Sequence, residues 1–162
     1  MDRVIVIGCP GSGKSTFSRR LHEITQIPLY HLDLMFWNAD KTTVEPSIFL
    51  DRLQKAMDQD RWIIDGNYSS TMKMRMEACD TIFFLDYDTD LCLRGIRDRR
   101  GKPRRDLPWI ESGEEDGEFL SFVHNFHVEN RPIIMGLLED FRQKTIVIFH
   151  NREECDRWLS DL

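Results

Sequence analysis

Residues 8–15 read Gly-Cys-Pro-Gly-Ser-Gly-Lys-Ser (GCPGSGKS) and satisfy G-x-x-x-x-G-K-[ST] at every specified position. In front of them stands Val4-Ile5-Val6-Ile7, a continuous apolar run that reads as a strand buried on both faces. Behind them Lys14 to Glu23 carries Phe17 and Leu21 at helical spacing. Strand, glycine-rich turn and helix form the context in which this pattern signals phosphate binding rather than a chance Lys-Ser after a turn. Gly8, Gly11 and Gly13 permit backbone angles and close approach that side chains forbid. With Pro10 and Ser12 they form a loop whose N–H groups converge on a phosphate chain at the positive end of the following helix. Lys14 supplies a point charge to the outer phosphates, the Ser15 hydroxyl a ligand for Mg²⁺, and Thr16 a hydroxyl near the inner phosphate.

Outward from this loop, apolar runs and helical stripes alternate. Pro28-Leu29-Tyr30, Trp62-Ile63-Ile64, Ile82 to Leu85 and Ile146 to Phe149 read as four more strands. Helices are read from Pro46, from 89 to 100, from Phe119 through Phe126, and after Asn151, which reads as an N-cap with Glu154 three residues on. Pro132 either kinks the helix before it or begins a new one ending near Phe141. Strands separated by helices imply crossover units and a parallel sheet covered on both faces. Residues 101–117 (GKPRRDLPWIESGEEDG) interrupt the pattern and read as a mobile surface flap. The expectation is one α/β domain over residues 1–162, with a lid insertion at about 100–117.

Composition excludes several classes. A chain of 162 residues has the size of one core that buries roughly two-thirds of its unfolded surface. With 22 basic and 28 acidic residues the net charge is −6, which offers no global surface for sequence-independent nucleic-acid binding. No apolar run approaches the ~18–20 residues of a membrane span, and MDRVIVIG does not read as a signal peptide. Cys9, Cys79, Cys92 and Cys155 form no C-x-x-C pair, so a reduced, cytoplasmic setting without a zinc site is expected.

Several shorter stretches resemble known proteins. WIIDG at 62–66 resembles the FLLDG segment of adenylate kinases, and FFLDYD with the Arg94, Arg97, Arg99 and Arg100 cluster resembles the run into their lid. YHLDLMFW, WIIDGNY and GKPRRDL together resemble the adenylate-kinase-like family known as DNA-topology-modulation proteins, over nearly the whole chain. The resemblance implies a three-layer P-loop NTPase of nucleoside/nucleotide kinase type, with a five-stranded parallel sheet and a lid. It implies ATP and Mg²⁺ as cofactors, Asp65 beside the metal with Ser15, and adenine between the lid helix and the loop near Asn151 and Arg152. Two departures bear on the acceptor. No arginine follows Asp65-Gly66 in Asn67-Tyr68-Ser69-Ser70, and residues 29–40 hold no basic side chain but His31. Either the acceptor is uncharged or an arginine arrives from elsewhere, such as Arg75.

Asp33, at the carboxyl edge of the sheet, is the candidate base that orients and deprotonates an acceptor hydroxyl; the plainer reading is a helix cap. Trp37 and Tyr68, beside Asp65 and Asn67, either stack on a ring-bearing acceptor or pack on the core. Arg99, Arg104 and Arg131 are the candidates to stabilise charge spreading over a transferred phosphoryl group, against the plainer reading of solvated loop charges; Asp106 pairs with one of them to shape the closed lid. These readings favour transfer of the γ-phosphoryl group of ATP to a small-molecule acceptor, by a monomer or homodimer. The alternative is an ATP-binding regulatory protein acting on DNA topology or gene expression, with Arg94 to Arg105 as its basic tract.

Overall fold

The computed structural model describes residues 1–109 and 116–162. Five parallel strands, β1 (Arg3–Gly8), β2 (Leu29–His31), β3 (Trp62–Asp65), β4 (Thr81–Leu85) and β5 (Thr145–Phe149), form one sheet in the order β2-β3-β1-β4-β5. Every residue of β3 and β4 is buried, as is β1 from Val4 onward, so helices cover both faces of the sheet centre. β1 pairs with β3 on one side and β4 on the other. Its carboxyl end is therefore the point where the strand order reverses and open α/β sheets hold their ligands.

The helices are α1 (Lys14–Thr25), α2 (Leu32–Phe36), α3 (Pro46–Met57), α4 (Ser69–Ala78), α5 (Thr89–Arg99), α6 (Gly117–Glu129), α7 (Arg131–Asp140) and α8 (Arg152–Ser160). α1 and α8 meet the sheet through a ring cluster: Phe17 lies 5.0 Å from Phe83, and Trp158 lies 4.8 Å from Phe83. Pro132 sits in the first turn of α7 and so opens a new helix rather than kinking α6. Asn151 caps α8, accepting from the Glu154 N–H at 2.9 Å.

Two helices lie where the sequence showed none. α2 follows β2 without a connecting residue, too short for periodicity to register. α4 buries Thr71, Met72, Arg75 and Met76, and an arginine on the inward face with methionines at alternate positions blurs its helical stripe. Of the expected flap, residues 101–109 run as turns, and positions 110–115 lie outside the described residues. No helix of the described residues is long and apolar enough to cross a membrane.

Candidate active site

The phosphate loop leaves β1 at Gly8 and enters α1 at Lys14. Gly11 has φ +85, and a Cβ there would lie 2.0 Å from the Cys92 carbonyl oxygen of α5. The partner in this close approach is Gly95, inside α5, where a Cβ would lie 2.1 Å from the Gly11 carbonyl oxygen. A glycine within a helix costs about 1 kcal/mol relative to alanine, and its reason here is passage of the loop backbone. That mid-helix glycine was the overlooked sequence signal for the contact.

Asn67 fixes the start of the loop. Its Oδ1 accepts from the Gly8 N–H at 3.1 Å and its Nδ2 donates to the Gly8 carbonyl at 2.7 Å. The carboxamide expected beside an acceptor is thus committed to the loop backbone. Gly13 caps α1 with φ 89 and no side-chain partner for the first-turn amides. Lys14 Nζ donates to the carbonyls of Gly8 at 2.9 Å and Cys9 at 3.2 Å. Burial draws the ammonium's pKa below its ordinary value, while Asp65 and Asp33 pull the other way.

The loop opens into a cleft of about 1210 Å³ at the carboxyl edge of the sheet. Its lining includes loop residues from Pro10 to Thr16, then Asp33, Trp37, Asp65 and Tyr68, and the arginines Arg99, Arg104 and Arg152. Sequence-distant candidates therefore share one wall-to-wall space. Arg99 sits 6.0 Å over the Phe119 ring. Arg104 donates through Nε to Asp106 at 3.1 Å and through Nη2 at 2.5 Å. Asp106 in turn accepts from the Ser15 hydroxyl at 2.7 Å, which ties the described flap to the phosphate loop. Burial opposes ionisation of Asp106, but Arg104 and Ser15 outweigh it and hold the carboxyl far below the usual range.

Asp33 lies in the first turn of α2 rather than at the end of β2, because the chain turns helical directly after His31. It makes no cap; its Oδ1 accepts from the Tyr68 hydroxyl at 2.5 Å. Burial raises the Asp33 pKa, and the Tyr68 bond opposes that rise. Tyr68 reaches it from a left-handed backbone, φ 37 and ψ 75, a conformation rare for a bulky residue. Arg75 holds this turn. Fully buried, it donates to the carbonyls of Gly66 at 3.0 Å, Asn67 and Tyr68, and to the Thr71 hydroxyl at 3.2 Å. Burial brings its guanidinium down to about 10, still cationic near neutrality. Arg75 does not line the cleft, which removes it as the arginine that could meet an acceptor's charge.

Two further placements correct the sequence reading, and a third adds a partner to it. Arg131 does not line the cleft; Nε and Nη2 each lie 2.8 Å from an Asp86 carboxylate oxygen. Asn151 does not line it either, its side chain being engaged in capping α8, whereas its neighbour Arg152 does. Asp65, at the end of β3, faces His31 across the parallel register, with Nδ1 2.8 Å from Oδ2. The strand-end pair brings His31 against the carboxylate expected near the metal. Burial favours the neutral imidazole, but Asp65 outweighs it and raises the His31 pKa.

The donors available for magnesium are hard oxygens, the Ser15 hydroxyl with Asp65 at the adjacent strand end. No group of three or more His, Cys, Asp or Glu side chains gathers around a metal position among the described residues. That set fits magnesium, which usually takes one or two protein ligands and fills its shell with waters and phosphates.

No protein-family model and no curated protein matches the chain. Among solved structures, a shikimate kinase from Bacteroides thetaiotaomicron is similar, with a TM-score of 0.57 at 18% sequence identity, over 99% of this chain and 95% of that one. At that identity the likeness is one of fold: a five-stranded parallel sheet covered by helices.

Proposed function

We propose that the protein is an ATP- and magnesium-dependent phosphotransferase that moves the γ-phosphoryl group of ATP to a hydroxyl of a small acceptor. The observation that carries this reading is the convergence, in one cleft, of the phosphate loop with a half-buried carboxylate–tyrosine pair on another wall. A loop that only displays nucleotide has no use for Asp33 held by Tyr68.

The residues divide the work. The amides from Gly11 to Ser15, at the uncapped positive end of α1, hold the phosphate chain. Lys14 shifts its ammonium from the loop carbonyls to the outer phosphates. Ser15 and Asp65 would hold magnesium, which when bound neutralises charge on the phosphate oxygens. Asp33 takes the proton of the acceptor hydroxyl, and Tyr68 keeps the accepting oxygens aimed. Arg99 and Arg104 set positive charge where negative charge spreads during transfer, and Arg152, on the same cleft wall, would meet the adenine. The flap, latched to the loop through Asp106 and Ser15, excludes water and protects ATP from hydrolysis.

The basic tract invoked for a DNA-facing role contributes Arg99, Arg100, Arg104 and Arg105 to the cleft wall, which favours catalytic use. The test is ADP release across nucleosides, nucleotides and common hydroxyl metabolites. Acceleration by one acceptor supports the reading, and a flat response across the panel with intact ATP binding sinks it.

A further inference from the structure

We propose that the acceptor seated against Asp33 is electrically neutral, bearing neither phosphate nor carboxylate, and lays a flat apolar face on Trp37. This deepens the phosphotransferase reading and rests on it. The acceptor end of the cleft includes Asp33, Trp37, Asp65, Tyr68 and Trp109, so two carboxylates face an acceptor there, with the Lys41 ammonium at the rim over Trp109. Asp65 is buried, and Asp33 is held by a tyrosine hydroxyl rather than by a cation.

Three of the basic groups that could balance an anionic acceptor are engaged elsewhere. Arg75 is buried under the Gly66–Tyr68 turn and bonded to its carbonyls. Arg19 donates to the Thr16 hydroxyl at 3.3 Å and Arg104 to Asp106, both on the phosphate-loop side. From β2 to the start of α4, the one basic side chain lining the cleft among the described residues is Lys41, exposed, with Nζ 5.9 Å over the Trp109 ring. Residues 110–115, Ile-Glu-Ser-Gly-Glu-Glu, contain no basic side chain. A phosphate or carboxylate entering here meets the like charge of Asp33 and Asp65 and trades its water for one exposed ammonium, an arrangement that disfavours an anion.

What the wall offers instead is aromatic surface. Trp37 stands edge-on to Trp109 at 5.5 Å and to Phe36 at 5.2 Å, a rigid apolar patch beside a proton-accepting carboxylate. Such a patch takes the face of a nucleobase or of an unphosphorylated sugar, each with its hydroxyl toward Asp33.

Steady-state ADP release with matched pairs that keep the same free hydroxyls tests the inference: a nucleoside against its analogue carrying a carboxylate on the base, and a neutral sugar against its sugar acid, at fixed ATP–magnesium. The neutral member is expected to show a kcat/KM about tenfold or more above its anionic counterpart, and the responding pair identifies the source. An anionic member that equals or exceeds its neutral partner overturns the inference while leaving phosphoryl transfer standing. Silence from every compound, with ATP binding intact by calorimetry, overturns both. Trp37→Ala gives a second reading: the KM for the neutral acceptor rises several-fold more than that for ATP, and an unmoved acceptor KM overturns the stacking role.

Discussion

The proposed donor end of the cleft, Gly8 to Ser15, is shaped by main chain whose geometry is set by glycine, whereas the proposed acceptor end is built from the side chains of Asp33, Trp37 and Tyr68 on or beside short elements. A backbone site has narrow tolerances, because any Cβ in the wrong place strikes neighbouring main chain. A side-chain site can be rebuilt one residue at a time on the same sheet, so fold fixes the donor and leaves the acceptor to local sequence. The likeness to a shikimate kinase is of the scaffold alone.

The sharpest way to break the comparison is Lys14→Ala. The variant removes the ammonium from the loop and is expected to lower kcat by about 10³-fold or more, with weaker ATP binding. ADP release and calorimetry read the two effects separately. Next in size is Gly11→Ala, whose Cβ would press to 2.0 Å from the Cys92 carbonyl. Backbone of α5 must move, which is expected to destabilise the fold by about 3 kcal/mol, read as a fall in Tm. Gly95→Ala strains the same contact from the other side. If either glycine accepts alanine without loss, the donor end is less tightly specified than its geometry states.

These two ends were also unequally legible. The phosphate loop, all five strands and the cap of α8 could be read directly, since buried parallel strands are continuous apolar runs and loop glycines punctuate them. The acceptor side was legible only as residue types. Asp33 and Tyr68 were singled out, but their mutual bond depends on a left-handed turn held by Arg75, and nothing in Asn67-Tyr68-Ser69 announces that. Arg131 was singled out for the transferred phosphoryl group, yet its place directly before Pro132 says nothing of which face α7 presents. Asn151 carried two expectations, and its capping bond claims the side chain.

Asp33→Asn sharpens the acceptor side. It retains shape but cannot take a proton, and a loss of about 10²-fold in kcat is expected. The base works when deprotonated, and burial raises its pKa, so wild-type activity falls on the acid side through a limb above the ordinary carboxylate range. The asparagine variant loses that limb. Tyr68→Phe removes a bond that favours the carboxylate form, so the limb moves to higher pH while a lower activity persists. A limb unmoved by Tyr68→Phe would assign the titration to another group.

The smallest effect is expected from Arg131→Ala, and it tests whether the cleft boundary is drawn correctly. Both Arg131 contacts to Asp86 are 2.8 Å, and the arginine side chain is 38% exposed against 6% for the carboxylate. Solvent screens the exposed partner and limits the strength of the pair, while the poorly solvated Asp86 is left with His150 at 4.0 Å. Stability is therefore expected to fall by about 1 kcal/mol, with kcat within about twofold of wild type. Arg99→Ala, on the cleft wall, makes the contrasting case: a drop of about tenfold or more in kcat, because charge aimed at the transferring group counts in the transition state. Equal rate losses in the two variants would bring Arg131 back into the chemistry and erase the boundary between a cation that faces the phosphoryl group and one that only braces the strand end.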